Sequence, residues 1–289
     1  MSKISHCPLC HSSKLKEYWA LPGYKLARCS DCSMVWDPFP QDNLLSQYSE
    51  NYFINNNPKG GYANYFEGMR INSRTFYMRL KRIKQKLKGT GKLLDLGCAL
   101  GDCLIEAKKL GWVNPLGLDT SSYACQQCKH RGLRALCGTL ETVKLSPDTF
   151  DLVTSQDVIE HIADPVSELK RIFKIMKPGA TLFIVTPEMD GYWLRLLRGW
   201  WYHYKPGEHV VYFSQSTIKK ALLKAGFVNI STSATPHIMS VEYILKRLCY
   251  YSPLIFGACL KIANFLSLND LSLRVFTGEL EAWAQKPKS

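Results

Sequence analysis

The stretch LLDLGCALGDCL, residues 93–104, opens on an apolar run, closes that run on an acid, turns glycine-rich and then resumes apolar residues at helical spacing. Such an order predicts a buried strand, a tight turn and the first turns of a covering helix. The alternation continues on both sides of it. KLLDL is the strand, residues 102–110 are a helix stopped by Gly111, NPLGLD is a second strand, and residues 121–131 are a helix ended by Gly132. FDLVTS (150–155) and ATLFIVTP (180–187) are further strands, with a helix over 165–176 between them. Strands alternating with helices of this length predict an α/β fold, a doubly wound sheet that is mostly parallel with an antiparallel last strand. Ligands bind such sheets outside the carboxyl ends of the strands, where Asp95, Gly97, Ala99 and Gly101 fall.

Small residues at 97, 99 and 101 let backbone approach a ligand before the helix begins. Asp119 closes the second strand, where a carboxylate can accept both hydroxyls of a ribose. Asp95 precedes the glycines, which suits a ligand bearing an amino group and repels a pyrophosphate. LLDLGCALGDCL, GLDTSSYA and FDLVTSQDVIEHIADPVSELKRIFKIMKPGATLFIVTPE resemble the successive motifs of class I S-adenosylmethionine-dependent methyltransferases. The resemblance covers residues 92–188 closely, and EHVVYFSQSTIKKALLKAGF (208–227) extends it. It implies a Rossmann-like fold and S-adenosyl-L-methionine as cofactor. Asp95, Gly97, Ala99 and Gly101 would surround the methionine part, Asp119 and Thr120 the ribose, and Gln156 the neighbourhood of the methyl. Ala99 departs from the family, many members of which carry glycine there.

The amino-terminal part reads CPLC, eighteen residues, then CSDC. Cys7, Cys10, Cys29 and Cys32 form two knuckles with the spacing of a structural zinc ion held by four thiolates. A unit this small needs such a staple, because it cannot bury enough surface alone. His6 and His11 flank the first knuckle as alternative ligands. Eleven cysteines with no export signal in view are expected to stay reduced, in a cytoplasmic protein without a membrane span. Cys125 and Cys128 lie on a helix without a partner pair and are expected to pack in the core. Three regions follow: a zinc-ribbon unit at 1–48, a linker and basic helix at 49–91, and a methyltransferase domain at 92–289 with an aromatic insert at 190–213.

The net charge of +13 is concentrated. Residues 70–92 hold nine Lys and Arg and no acid, with Ile71, Phe76, Leu80, Ile83 and Leu87 at helical spacing. This helix presents either a solvated basic face or a contact for an anionic partner. The insert sets Tyr192, Trp193, Trp200, Trp201, Tyr202 and Tyr204 beside Arg195, Arg198 and Lys205. It reads as a lid over a nucleotide- or lipid-linked sugar, or as an aromatic cluster sealing the core. Near the carboxyl end, Ser252 and Pro253 begin a helix whose Ile255, Cys259, Ile262 and Leu266 share a face. That face is expected to pack on the body of the protein, or to rest on a membrane at its inner surface. VFTGELEAWAQKP reads as two strand pieces around Gly278, at the antiparallel edge of the sheet.

A zinc ribbon, YSENYF, a basic helix and this cofactor motif together resemble bacterial methyltransferases of sugar and surface-polysaccharide biosynthesis. The resemblance implies O-methylation of a small-molecule sugar. Proton removal then needs a base, and His161 after DVIE and His209 after KPGE are the candidates. An RNA methyltransferase and a non-catalytic binding or scaffold protein are the alternatives. Nucleic acid is not the expected partner, and the oligomeric state is left open.

Overall fold

The computed structural model describes residues 4–18, 25–40, 65–197, 201, 203–205, 207–249 and 251–288. YSENYF, the expected linker over 49–64, Arg198, Trp200 and Tyr202 lie outside the described residues, as does the side chain of Trp193. The amino-terminal unit holds β1 (Leu15–Tyr18), β2 (Leu26–Cys29) and β3 (Val35–Trp36). The basic stretch is helix α1 (Tyr65–Leu87), longer at its start than the charge pattern predicts. The domain then runs β4 (Leu93–Leu96), α2 (Asp102–Lys109), β5 (Leu116–Asp119), α3 (Ser122–His130), β6 (Arg134–Cys137) and β7 (Phe150–Gln156). A single 3-10 turn, Ile159–His161, leads to α4 (Pro165–Ile175), β8 (Met176–Pro187), α5 (Tyr192–Leu197), β9 (Val211–Tyr212) and α6 (Gln215–Lys224). Last come β10 (Val228–Ser240), α7 (Val241–Leu248), α8 (Pro253–Phe265) and β11 (Ser272–Gln285).

Seven strands form the main sheet in the order β10-β11-β8-β7-β4-β5-β6. β8 through β6 are parallel, and β11 is antiparallel to both of its neighbours. Leu93, Leu94 and Leu96 are all buried, as a central strand covered on both faces requires. The chain moves outward from β4 to β6 and then returns to pair β7 on the other side of β4. That reversal opens a crevice at the carboxyl ends of β4 and β7.

Helix starts follow local chemistry. Asp164 caps α4 by accepting from the Ser167 amide at 3.0 Å, with Pro165 in the first turn. Ser121 caps α3 through the Ala124 amide.

Four expectations change. β11 is one continuous strand, not two pieces, and it lies inside the sheet, leaving β10 at the edge. Gly278 allows this: its φ is +95°, and a Cβ there would meet Trp201 Nε1 at 2.7 Å. The amino-terminal unit is not separate, because β9 of the insert completes its sheet through Val35↔Tyr212 and Trp36↔Val211. Lys220 and Lys224 bind the carbonyls of Cys32 and Leu9, and Trp201, Tyr204 and Tyr212 are buried with Leu26, Val35 and Met189. Trp201, Tyr204 and Tyr212 thus seal the two units together, whereas Tyr192 is exposed. The face of α1 is not wholly solvated: Arg79 and Arg82 turn inward to Glu279 and Glu281 of β11. Finally, α8 does not pack its stripe on the body, since Ile255, Ile262 and Leu266 are all exposed.

Candidate active site

At the cofactor end, Gly97, Ala99 and Gly101 all have left-handed backbone, with φ of 67°, 45° and 87°. A Cβ on Gly97 would meet Val158 Cγ2 at 2.3 Å, and one on Gly101 would meet Leu133 Cδ1 at 2.4 Å, so both positions need glycine. Ala99 takes the same backbone with a side chain and bears the strain. Asp119 anchors the loop: its carboxylate accepts from the amides of Ala99 and Ser121, each at 2.8 Å. Burial raises its pKa, and those amides, with that of Thr120, oppose the rise. Asp95 is buried, accepting from Thr154 Oγ1 at 2.6 Å and bonded to the Cys103 thiol. Burial pushes its carboxyl up to about 7, and no Lys, Arg or His pairs with it among the described residues. A buried carboxylate without a cation, beside a cradle too tight for side chains, fits an ammonium-bearing ligand.

Gln156, at the end of β7, is tied on both sides. Its Nε2 donates to Cys103 Sγ at 3.7 Å and its Oε1 accepts from Arg79 Nη1 at 3.1 Å. Arg79 then donates to Glu279 Oε2 at 3.0 Å, and the same oxygen meets His237 Nε2 at 2.5 Å. His203 Nε2 lies 3.8 Å from Glu279 Oε1. A bonded chain therefore runs from Asp95 through Cys103, Gln156 and Arg79 to Glu279 and His237. Burial would raise the Glu279 carboxyl, but His237, then Arg79 and His203, hold it well below the usual carboxylate range.

The two histidines expected as bases come together in the same chamber, with ring centroids 4.9 Å apart and edge to face. His161 Nδ1 lies 2.8 Å from the Glu208 carbonyl. A carbonyl only accepts, so Nδ1 carries the proton and Nε2 is the unprotonated nitrogen of the neutral ring. His161 is partly accessible, whereas His209 sits buried behind it against Tyr212. Burial lowers both, His161 to about 4 and His209 well below the ordinary imidazole value. Ligand atoms of Glu160, His161 and His209 all lie within 4.8 Å of one another. Asp157, at φ 55°, is solvent-accessible and feels the charges of Glu279, His237, Arg79 and Lys205. Arg79, His203, His237 and Glu279 are the residues that sequence reading missed.

The four amino-terminal cysteines also converge. Cys7 and Cys32 sulfurs are 3.4 Å apart, those of Cys10 and Cys29 3.5 Å, and all four lie within 4.8 Å of one another. Tetrahedral zinc, with bonds of about 2.3 Å, sets sulfurs about 3.8 Å apart, so the set fits. The two knuckles repeat one geometry: His11 and Ser33, each four residues after a first cysteine, take φ of 61° and 69° and donate to that cysteine's carbonyl. Burial raises the thiols of Cys7, strongly, and Cys32, to about 11, whereas hydrogen bonds from the Cys32 and Asp31 amides outweigh burial at Cys29 and lower it to about 7.

Between the amino-terminal unit and the insert lies a cavity of about 600 Å³, lined by Tyr18, Arg28, Met189, Leu194, Arg195 and Tyr204 among others. Tyr204 of its lining stacks on Tyr212, which in turn adjoins His209, so two buried rings lie between this cavity and the histidines.

A family model described as "Methyltransferase domain" matches residues 70–232, more than half of the chain. Among curated relatives, "Ubiquinone biosynthesis O-methyltransferase" of Methylococcus capsulatus is 32% identical over 102 residues, 33% of this chain and 43% of that protein. The Klebsiella pneumoniae protein of the same name is 29% identical over 160 residues, 53% of this chain and 65% of that one. The chain thus spans about half the length of the curated relatives it matches. A SAM-dependent methyltransferase of Thermotoga maritima superposes with a TM-score of 0.53 at 16% identity, covering 77% of this chain and 93% of that one. One from Archaeoglobus fulgidus gives 0.52 at 16% identity, with 77% and 99% covered. At such identities the structures share the fold.

Proposed function

This chain belongs to the methyltransferase domain family, with the class I S-adenosylmethionine-dependent fold, and from that premise we propose that it methylates a hydroxyl of a small, phosphate-linked sugar. The observation that carries methyl transfer is the unpaired buried Asp95 beside the glycine cradle, one bonded chain away from a chamber of imidazoles. When bound, S-adenosylmethionine supplies an electrophilic methyl group on a sulfonium. Asp95 binds its ammonium, Asp119 and Thr120 hold the ribose, and Gln156 fixes the floor near the methyl. His161 Nε2 takes the acceptor's proton, and His209 positions the ring that does so. Oxygen as acceptor is supported by the relatives' name, an O-methyltransferase. The sugar is supported by the cavity lined by Tyr18, Tyr204, Arg28 and Arg195, where the arginines, beside Asp190, offer contacts for phosphate and hydroxyl groups.

Incubation with methyl-labelled S-adenosylmethionine and a panel of nucleotide-linked and lipid-linked sugars tests this. Label in a methyl ether supports the reading; label in added RNA, or in no acceptor, rejects it. A second reading comes from Glu160, His161 and His209, whose spacing suits a divalent cation that would orient the acceptor oxygen. Turnover abolished by a chelator that leaves the cysteine-bound zinc in place, and restored by an imidazole-binding ion such as manganese or iron(II), selects this reading over the imidazole base. We further propose that Cys7, Cys10, Cys29 and Cys32 hold one structural zinc. Metal analysis should give a ratio near one per chain, and Cys29→Ser should lower it.

A further inference from the structure

The long hairpin of β10 and β11 extends past the sheet and carries α7 and α8 at its tip. Its base is fastened: the Val241 amide donates to the Leu271 carbonyl at 3.0 Å, and Arg74 of α1 donates to the Asp270 carbonyl at 3.3 Å. Its outer surface is apolar and open. On α8, Leu254 is 89% exposed and Phe265 88%, and Ile255, Ile262 and Leu266 each exceed 50%. Leu254, Ala258, Lys261 and Phe265 follow i, i+4, i+7 and i+11 spacing with Ile255, Ile262 and Leu266 beside them, so the apolar residues form one stripe, with Lys261 at its edge, along a helix whose inner side buries Ala263. Tyr251, Leu271 and Phe276 continue the exposed surface onto the hairpin's flanks.

Exposed large apolar residues gathered along one helix mark an interaction site. Its charge indicates the partner. Between residues 241 and 276 the acids are Glu242 and Asp270, against Lys246, Arg247, Lys261 and Arg274. Glu242 is already paired with Lys246 at 2.9 Å. The helix that props the base adds exposed Lys81 and Lys88, with no acid from 70 to 92. Among the described residues no helix is long and apolar enough to cross a membrane. At 13 residues α8 is too short to span a bilayer, and it exposes apolar side chains on one side while burying Ala263 on the other, as a helix lying in an interface does. We propose that α7 and α8 seat this protein on an anionic lipid bilayer, with the α8 stripe among the acyl chains and the flanking Lys and Arg at the headgroups. His237 precedes α7 by four positions, so the strand that carries the hairpin also carries a wall of the acceptor chamber.

Sedimentation with vesicles tests the surface independently of methyl transfer. The full chain should sediment with vesicles of phosphatidylcholine and phosphatidylglycerol in equal parts, and far less with phosphatidylcholine alone. Leu254→Glu with Phe265→Glu should lower partitioning at least about tenfold. Lys261→Glu should lower it about fivefold on the anionic vesicles. Both sites are solvent-exposed, so calorimetric binding of S-adenosylmethionine should be unchanged in every variant. Wild-type protein that stays in solution with anionic vesicles overturns the proposal. A dimer in analytical ultracentrifugation that Phe265→Glu dissociates, with no vesicle binding, replaces the bilayer with a second copy of this chain.

Discussion

The glycine cradle and the histidine cluster proposed for cofactor and acceptor draw on the sequence in different ways. Asp95 to Gly101 and Asp119 to Thr120 come from two adjacent strand, turn and helix units, and each sits where its own backbone puts it. The chamber takes Arg79 from α1, His161 from the turn after β7, His203 and His209 from the insert, His237 from β10 and Glu279 from β11. On the proposed reading a local motif would hold the cofactor, while the histidine cluster proposed for the acceptor is assembled only when the whole chain has packed. Damage to the chamber should disturb folding or turnover, and damage to the cradle should disturb binding.

The largest effect expected is on the chamber's buried ion pair. Arg79 and Glu279 side chains are 1% and 2% exposed, so Arg79→Ala leaves a buried carboxylate short of its cation and costs about 3–5 kcal/mol of stability. Denaturant unfolding measures this. A loss below about 1 kcal/mol would mean that the pair is solvated, as exposed pairs are. Next, His161→Ala should slow turnover by roughly 100-fold with cofactor affinity unchanged. If His209→Ala is the slow variant and His161→Ala is not, the two exchange roles.

The cradle responds to pH. Pairing with an ammonium needs Asp95 ionised, and burial holds its carboxyl up at about 7. Affinity should therefore fall as pH drops below 7, by up to about tenfold per unit, and fall again above about 8 as the ligand's amine loses its proton. Asp95→Asn should abolish the acid limb along with most of the binding. Because the folded pKa is raised, this carboxyl's contribution to stability is present at low pH and lost as pH rises through 7. The Asn variant without ligand should thus gain more melting temperature at pH 8 than at pH 5. The smallest effect is at Ala99, where φ is 45°. Ala99→Gly should relieve about 1 kcal/mol or less and leave binding intact.

The same contrast explains what was readable. Cysteine knuckles, the glycine loop and the two aspartates announce themselves because spacing alone fixes their geometry. His237 and Glu279 carry no such signature. Their meeting depends on the register of β10 and β11, which pairs Thr235 with Glu279 and then, across an irregularity, His237 with Val275. A bulge re-aims a side chain, and an alternating sequence does not reveal where it falls. The union of β3 with β9 was hidden for a related reason, since strands of two residues have no periodicity. The stripe on α8 was visible as a pattern, but exposure, which turns a packing face into a docking face, is a property of the fold.

Calorimetric titration with S-adenosylmethionine at pH 7.5 decides whether Asp95 to Gly101 and Asp119 form a cofactor site. Wild-type protein should show one site per chain, and Asp119→Ala should show affinity weaker by at least about tenfold, the scale of a lost charged hydrogen-bond partner. A wild-type chain that binds no cofactor, or an Asp119→Ala variant that binds it as tightly, would contradict such a site.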